Sequence, residues 1–319
     1  MPQDRTPPEK PRTRLWLWAR LALTIATFWG LFHFVSVEAL LQAAARIPAS
    51  AMALCSVAVF VGQLIGVWRF QLLLTAYGAT HALRFVESLR LFLVATFYNT
   101  FLPGAVAGDL VRVVAIRRCF ADGGLTSSLT VGVIERITGF AGMLILTASF
   151  AALHPIPGIR GLLAFSLLGL LGAATAIAGI VVGRRVAHRL PGRLGRLAAG
   201  LPSIQGKGAF VLGLLCAVAT HASTALGFHV LIRSLTPQAS LAESMVIVPL
   251  ACSAAYIPAT VAGAGTRDAA FVLLYRGVGV SAADSLAMSL AAMLITLVIA
   301  ALGGIATLTG PYTRMPSAE

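Results

Sequence analysis

Two arginines stand one helical turn past Pro/Gly-rich interruptions in otherwise apolar segments, and their setting suits the binding of an anion. Arg112 closes Leu102-Pro-Gly-Ala-Val-Ala-Gly-Asp-Leu-Val-Arg112, and Arg267 closes Ile257-Pro-Ala-Thr-Val-Ala-Gly-Ala-Gly-Thr-Arg267. A helix tolerates neither that much glycine nor an interior proline without kinking or ending, so each stretch breaks a helix. The helix that restarts beyond it presents unpaired N–H groups and the positive end of its dipole. A guanidinium one turn further adds a two-pronged donor, and the set suits a phosphate. The anion-binding set is therefore Pro103, Gly104, Gly108 and Arg112 in the first segment, and Pro258, Gly263, Gly265 and Arg267 in the second. The alternative is that both arginines mark the edges of the membrane.

Acidic and polar residues cluster around this set. Asn99 lies four residues before Pro103, Asp109 three before Arg112, and Asp268 directly after Arg267. Glu135-Arg136 falls inside a long apolar run, and Glu87 and Glu243 open the two interrupted segments. An uncompensated charge at the bilayer centre costs at least ~2.5–3.5 kcal/mol, so Glu135 and Arg136 require partners or water. A polar pathway, with a proton relay, is one reading; a buried ion pair that fixes helix register is the other. Arg69, near the end of an apolar run, reads as a side chain that snorkels to the interface. His221 and His229, eight residues apart on one helix, are too far apart for one metal and read as satisfied core histidines. Cys55, Cys119, Cys216 and Cys252 form no C-x-x-C pair and read as small apolar packers. No metal site, cofactor motif, G-x-S-x-G or P-loop is present, so no catalytic residue is assigned.

The elements that position these residues are membrane spans. Of 319 residues, 58% are apolar and only 11% are charged, against roughly 25% in soluble domains. Apolar runs near the ~20 residues that a spanning helix needs recur along the whole length. They predict an all-α, polytopic helix bundle with six full spans, at 15–37, 51–74, 126–152, 160–183, 208–235 and 284–309. The interrupted segments 85–120 and 241–280 read as re-entrant hairpins, because their second arms, 109–120 and 266–280, are short and charged. The basic, Pro-rich stretch 1–14 resembles the start of a signal peptide, but the following run, Leu15 to Val37, exceeds a signal core and reads as a retained first span.

Charge sets the orientation. With a cytoplasmic N-terminus and two hairpins, fourteen basic residues face the cytoplasm and four face outward, including Arg46, Arg160, Arg267 and Arg276. That bias follows the positive-inside rule and predicts a multi-pass protein of the cytoplasmic membrane. The net charge of +13 is accounted for in this way, with some contact to anionic lipid, so nucleic acid is not an expected partner.

The two interruptions align without gaps at five of eleven positions, including the proline and the arginine, and Glu87-Ser88 matches Glu243-Ser244 upstream. This predicts an internal duplication: repeat 1 over 15–152 and repeat 2 over 153–309, flanked by tails 1–14 and 310–319. Three full spans separate the hairpins, so the repeats are expected to be inverted, with the hairpins entering from opposite faces, a recurrent transporter design.

Asn99-x-x-Leu-Pro-Gly104 with Gly108-Asp109-x-x-Arg112, then Glu135-Arg136, then Pro258 with Gly263-x-Gly265-x-Arg267-Asp268, resembles the lysylphosphatidylglycerol synthase transmembrane family over about 15 to 309. Two departures are conservative: Asp268 where the family usually has Glu, and Ala107-Gly108-Asp109 where it commonly has Gly-Gly-Asp. The resemblance implies a flippase-like membrane domain standing alone. The soluble aminoacyl-transferring domain of the synthases is not expected, because only Arg314 to Glu319 follow the last basic-flanked span. It implies translocation of a membrane lipid with an anionic head group, and substrate contacts at the residues named above. Phospholipids, polyprenyl-phosphate glycolipids and hopanoid-related lipids all stay open, as does a homodimer or a lipid-pathway partner. Two other readings stand beside it: a membrane enzyme acting on a lipid phosphate, and a non-catalytic subunit of a lipid or cell-envelope pathway.

Overall fold

The computed structural model describes residues 11–81, 83–101, 107–121, 124–156, 161–189, 191–192, 195, 203–254 and 264–308. Among these residues every regular element is helical, as the composition requires of a chain whose backbone polar groups must be satisfied inside lipid. The order is α1 (Pro11–Phe34), α2 (Val37–Ala45), α3 (Ala49–Ala76), α4 (Phe85–Phe101), α5 (Ala107–Ile116), α6 (Leu125–Leu153), α7 (Leu162–Arg185), α8 (Lys207–Leu235), α9 (Leu241–Ser253), α10 (Thr266–Arg276) and α11 (Ala282–Thr307). Five of them, α3, α6, α7, α8 and α11, are long and apolar enough to cross a membrane, and a sixth span arises if the bent pair α1–α2 counts as one.

The first span ends earlier than the hydropathy suggests. The chain turns by 85° at the junction of α1 and α2. Ser36 stops the first helix and starts the second, its side chain accepting the Ala39 N–H at 3.2 Å. The other starts use similar local chemistry. Ser240 and Glu243 form a reciprocal capping box on α9, and Ser281 caps α11 through the Asp284 N–H at 3.0 Å. The Glu87 carboxylate accepts the Arg84 N–H at 3.0 Å, as Glu243 accepts Ser240 N–H at 2.9 Å. The two acids that open the interrupted segments are thus matched helix caps.

The short helices are too short to cross alone. At ~1.5 Å per residue, α5 and α10 span about 15 and 16 Å, half of the ~30 Å hydrocarbon. The stretches 102–106 and 255–263 lie outside the described residues, and with them Pro103, Gly104, Pro258 and Gly263.

Packing follows small residues. α3 crosses α8 closely where Gly62 meets the Thr220 carbonyl and Gly227 meets Cys55 and Ala58, and Ser223 donates to the Ala58 carbonyl at 2.7 Å. α11 crosses α4 at Gly303, where an added Cβ would lie 1.9 Å from the Leu93 carbonyl oxygen. Neighbours come in matching sets. α4 packs on α3, α5 and α11, while α9 packs on α8, α10 and α6; α5 packs on α6 as α10 packs on α11.

Candidate functional site

The residues around Arg112 gather where α3, α4, α5 and α6 meet. Asn99, near the end of α4, accepts the Gly108 N–H on Oδ1 at 2.9 Å. It thereby satisfies one of the N–H groups that the first turn of α5 leaves open. Gly108 is required there: a Cβ would fall 2.0 Å from the Ala95 carbonyl oxygen. The close approach holds the first turn of α5 against α4 and fixes Asp109 and Arg112 relative to α6.

Arg112 is held on three sides. Its Nη1 donates to Glu135 Oε1 at 2.7 Å, and its Nη2 donates to Asp109 Oδ1. Its guanidinium carbon lies 4.5 Å from the Phe92 ring centroid and 5.8 Å from that of Phe70, within cation–π range. Arg69 donates to the same Glu135 oxygen at 3.2 Å, and Arg136 Nε donates to Asp109 Oδ2 at 2.7 Å. The order along the network is Arg69, Glu135, Arg112, Asp109, Arg136. Three guanidinium groups face two carboxylates, leaving one net positive charge.

Two sequence readings change here. Arg69 does not snorkel; its side chain is only 11% exposed and bound to Glu135. Gly139 makes room for it, since a Cβ there would lie 3.0 Å from Arg69 Nη1. Glu135 and Arg136 also take different partners from the bundle. Adjacent helical residues point ~100° apart, so Glu135 reaches inward while Arg136 reaches Asp109 along the outer side of α6. Arg69, Phe70 and Phe92 were not singled out as site residues from the sequence. The signal available for Arg69 was a charge seven residues inside the end of a long apolar helix.

The second group is smaller. Gly265 adopts φ 88°, a conformation that glycine reaches freely, and donates its N–H to Asp268 Oδ2 at 2.8 Å. Asp268 is fully buried, receives the Ser289 hydroxyl of α11, and lies 3.4 Å from Arg267 Nη2. α1 closes over this start of α10, with Thr27 2.9 Å from where a Gly265 Cβ would stand. The buried Nε–H groups of Arg69, Arg112 and Arg267 meet no acceptor among the described residues. Of the predicted residues, Asn99, Gly108, Asp109, Arg112, Glu135 and Arg136 converge in the first group, and Gly265, Arg267 and Asp268 in the second. Among the described residues no hydrogen bond or ion pair joins a charged side chain of one group to one of the other.

His221 and His229 are satisfied in the core. His221 Nε2 donates to the Gly139 carbonyl at 3.0 Å, and His229 Nδ1 and the Tyr275 hydroxyl meet Ser244 Oγ at 3.0 and 3.2 Å. No group of His, Cys, Asp or Glu suited to a metal occurs among the described residues.

A bundle of apolar helices with a buried arginine–carboxylate network at the start of a short helix defines a multi-pass membrane protein with a polar site set inside its helices. The chain belongs to the family of the lysylphosphatidylglycerol synthase TM region, whose sequence profile matches residues 17–304. No curated protein sequence matches it.

Proposed function

We propose that this protein moves an anionic, phosphate-bearing lipid across the cytoplasmic membrane, with its N-terminus on the cytoplasmic side. The reading is supported by membership of a lipid-related membrane family. It is carried by the surplus positive charge of the Arg69–Glu135–Arg112–Asp109–Arg136 network, placed at the N-terminal end of α5. An intramembrane cluster with more cations than anions attracts a negatively charged ligand. The phosphate is held by Arg112 and Arg267 with the N–H groups that follow each interruption, while the acyl chains stay in lipid. Asp109, Glu135 and Asp268 set the field around it, and Asn99 and Arg136 complete the contacts. The α4–α5 and α9–α10 pairs act as re-entrant hairpins of two inverted repeats. The reciprocal packing of α4 on α11 and α9 on α6 supports that arrangement.

The test uses purified protein in liposomes carrying a fluorescent anionic phospholipid in one leaflet. Protein-dependent change in the sidedness of the intact lipid is expected. Head-group release from the lipid in detergent, without any change of sidedness in liposomes, would replace transport with enzymatic cleavage.

A further inference from the structure

α6 is largely buried, and one narrow stripe of its first half is exposed: Leu125, Leu129, Val133, Arg136 and Phe140, at intervals of three or four residues. That spacing is a single helix face. Four members are apolar, as a lipid-facing surface requires. The fifth is Arg136, with its side chain 42% exposed. A charge on such a face, eleven residues inside the helix, is costly in hydrocarbon; Asp109 partners it, yet the network it belongs to keeps one surplus positive charge, and Arg136 is where that network reaches the surface. Leu110 and Val114, four residues apart on α5, are exposed as well. α5 packs on α6 here, where Val113 fills the space left by Gly132. Asp109 ties Arg136 to Arg112. The exposed stripe and the buried network are therefore in direct contact through one carboxylate. The counterpart start of α10 is covered by α1 at Thr27.

We propose that the α5–α6 face formed by Leu110, Val114, Leu129, Val133, Arg136 and Phe140 is a lateral portal that docks a phosphate-bearing membrane lipid. The lipid's phosphate meets Arg136, and its acyl chains lie over the flanking apolar side chains. Charge complementarity selects the occupant: a cationic point in an apolar stripe matches an anionic head group on apolar chains, and a soluble anion would leave the stripe uncovered. The inference rests on the transport reading for its purpose, and it is testable without transport.

The experiment places a bimane fluorophore at Val133→Cys and, separately, at Ala178→Cys, in liposomes containing a phospholipid spin-labelled on its head group. Ala178 is exposed on α7, which follows α6 and packs beside it. Val133 is eight residues from the start of α6 and Ala178 seven from the end of α7, so both labels lie at similar depth. The parent protein, with its four native cysteines, sets the background. Quenching about two-fold stronger at 133 than at 178 is expected, because only there does a charge draw a head group into the hydrocarbon. Adding Arg136→Gln should reduce the 133 signal to the 178 level, and Arg136→Lys should keep part of it, each in protein that remains monodisperse. Equal quenching at both positions, or quenching at 133 that survives Arg136→Gln, overturns the portal. If Arg136→Gln protein aggregates, the Arg136→Lys comparison decides: a signal falling fully to background overturns charge attraction as the cause. Preferential quenching without any lipid transport leaves the portal standing and removes the proposed function. Transport without preferential quenching does the reverse.

Discussion

At Arg112, the carboxylates that hold the arginine come from its own helix and from α6, and each of them serves a second arginine. At Arg267, the neighbouring carboxylate is Asp268, which also caps the backbone at Gly265 and takes a hydrogen bond from Ser289. The first set can exchange partners: if a phosphate takes donors of Arg112, Glu135 stays on Arg69 and Asp109 stays on Arg136. The second set is fixed, because Asp268 cannot move without opening the start of α10. The exposures agree. Arg136 reaches the surface on one side, whereas Asp268 is fully buried beneath α1 on the other. Two similar sequence motifs thus sit in an adaptable cluster and in a rigid one.

The largest predicted effect tests that rigidity. Asp268→Ala leaves Arg267 as a buried charge without its partner and uncaps Gly265, so it should destabilise by ~3–5 kcal/mol. Asp109→Ala leaves Arg112 on Glu135 and should destabilise less, by ~1.5–3 kcal/mol, the worth of hydrogen bonds to a charged group. Chemical unfolding in detergent compares the two. Equal losses would remove the distinction between the clusters.

Next in size is Gly108→Ala. Its Cβ would meet the Ala95 carbonyl at 2.0 Å, so α5 must shift, at ~1–3 kcal/mol for overpacking. Lipid transport should fall further than stability does, because the shift carries Asp109 and Arg112 away from α6. Loss of stability with full transport by the folded fraction would show that the α5 register does not set the site.

The smallest effects concern the matched caps. Glu87→Ala and Glu243→Ala should each destabilise by ~1 kcal/mol, equally, with transport by the folded protein unchanged. Transport lost from stable Glu87→Gln protein would return that acid to the polar pathway.

The fold was readable because hydropathy reports burial in lipid directly. The expected spans at 51–74, 126–152, 160–183, 208–235 and 284–309 lie within two residues of α3, α6, α7, α8 and α11 at every end. α2 was hidden because a nine-residue amphipathic helix continues the apolar run before it. Partner choice was less readable. Glu135 and Arg136 are neighbours in sequence yet face different helices, and only the packing of α3 against α6 brings Arg69 to Glu135. The sequence Ser240-Leu-Ala-Glu243 carries the capping-box pattern.

The central claim is that the adaptable and the rigid arginine hold one anionic head group. The direct measurement is binding of a labelled anionic phospholipid to purified parent, Arg112→Ala, Arg267→Ala and doubly substituted protein. Each single change should weaken binding by ~1.5–3 kcal/mol, and the Lys versions should restore it only in part. Because both side chains would touch one ligand, the cycle should show a coupling of at least ~0.5 kcal/mol. Strict additivity, or unchanged binding after either alanine substitution in well-folded protein, would contradict the account and leave the arginines as anchors of helix packing.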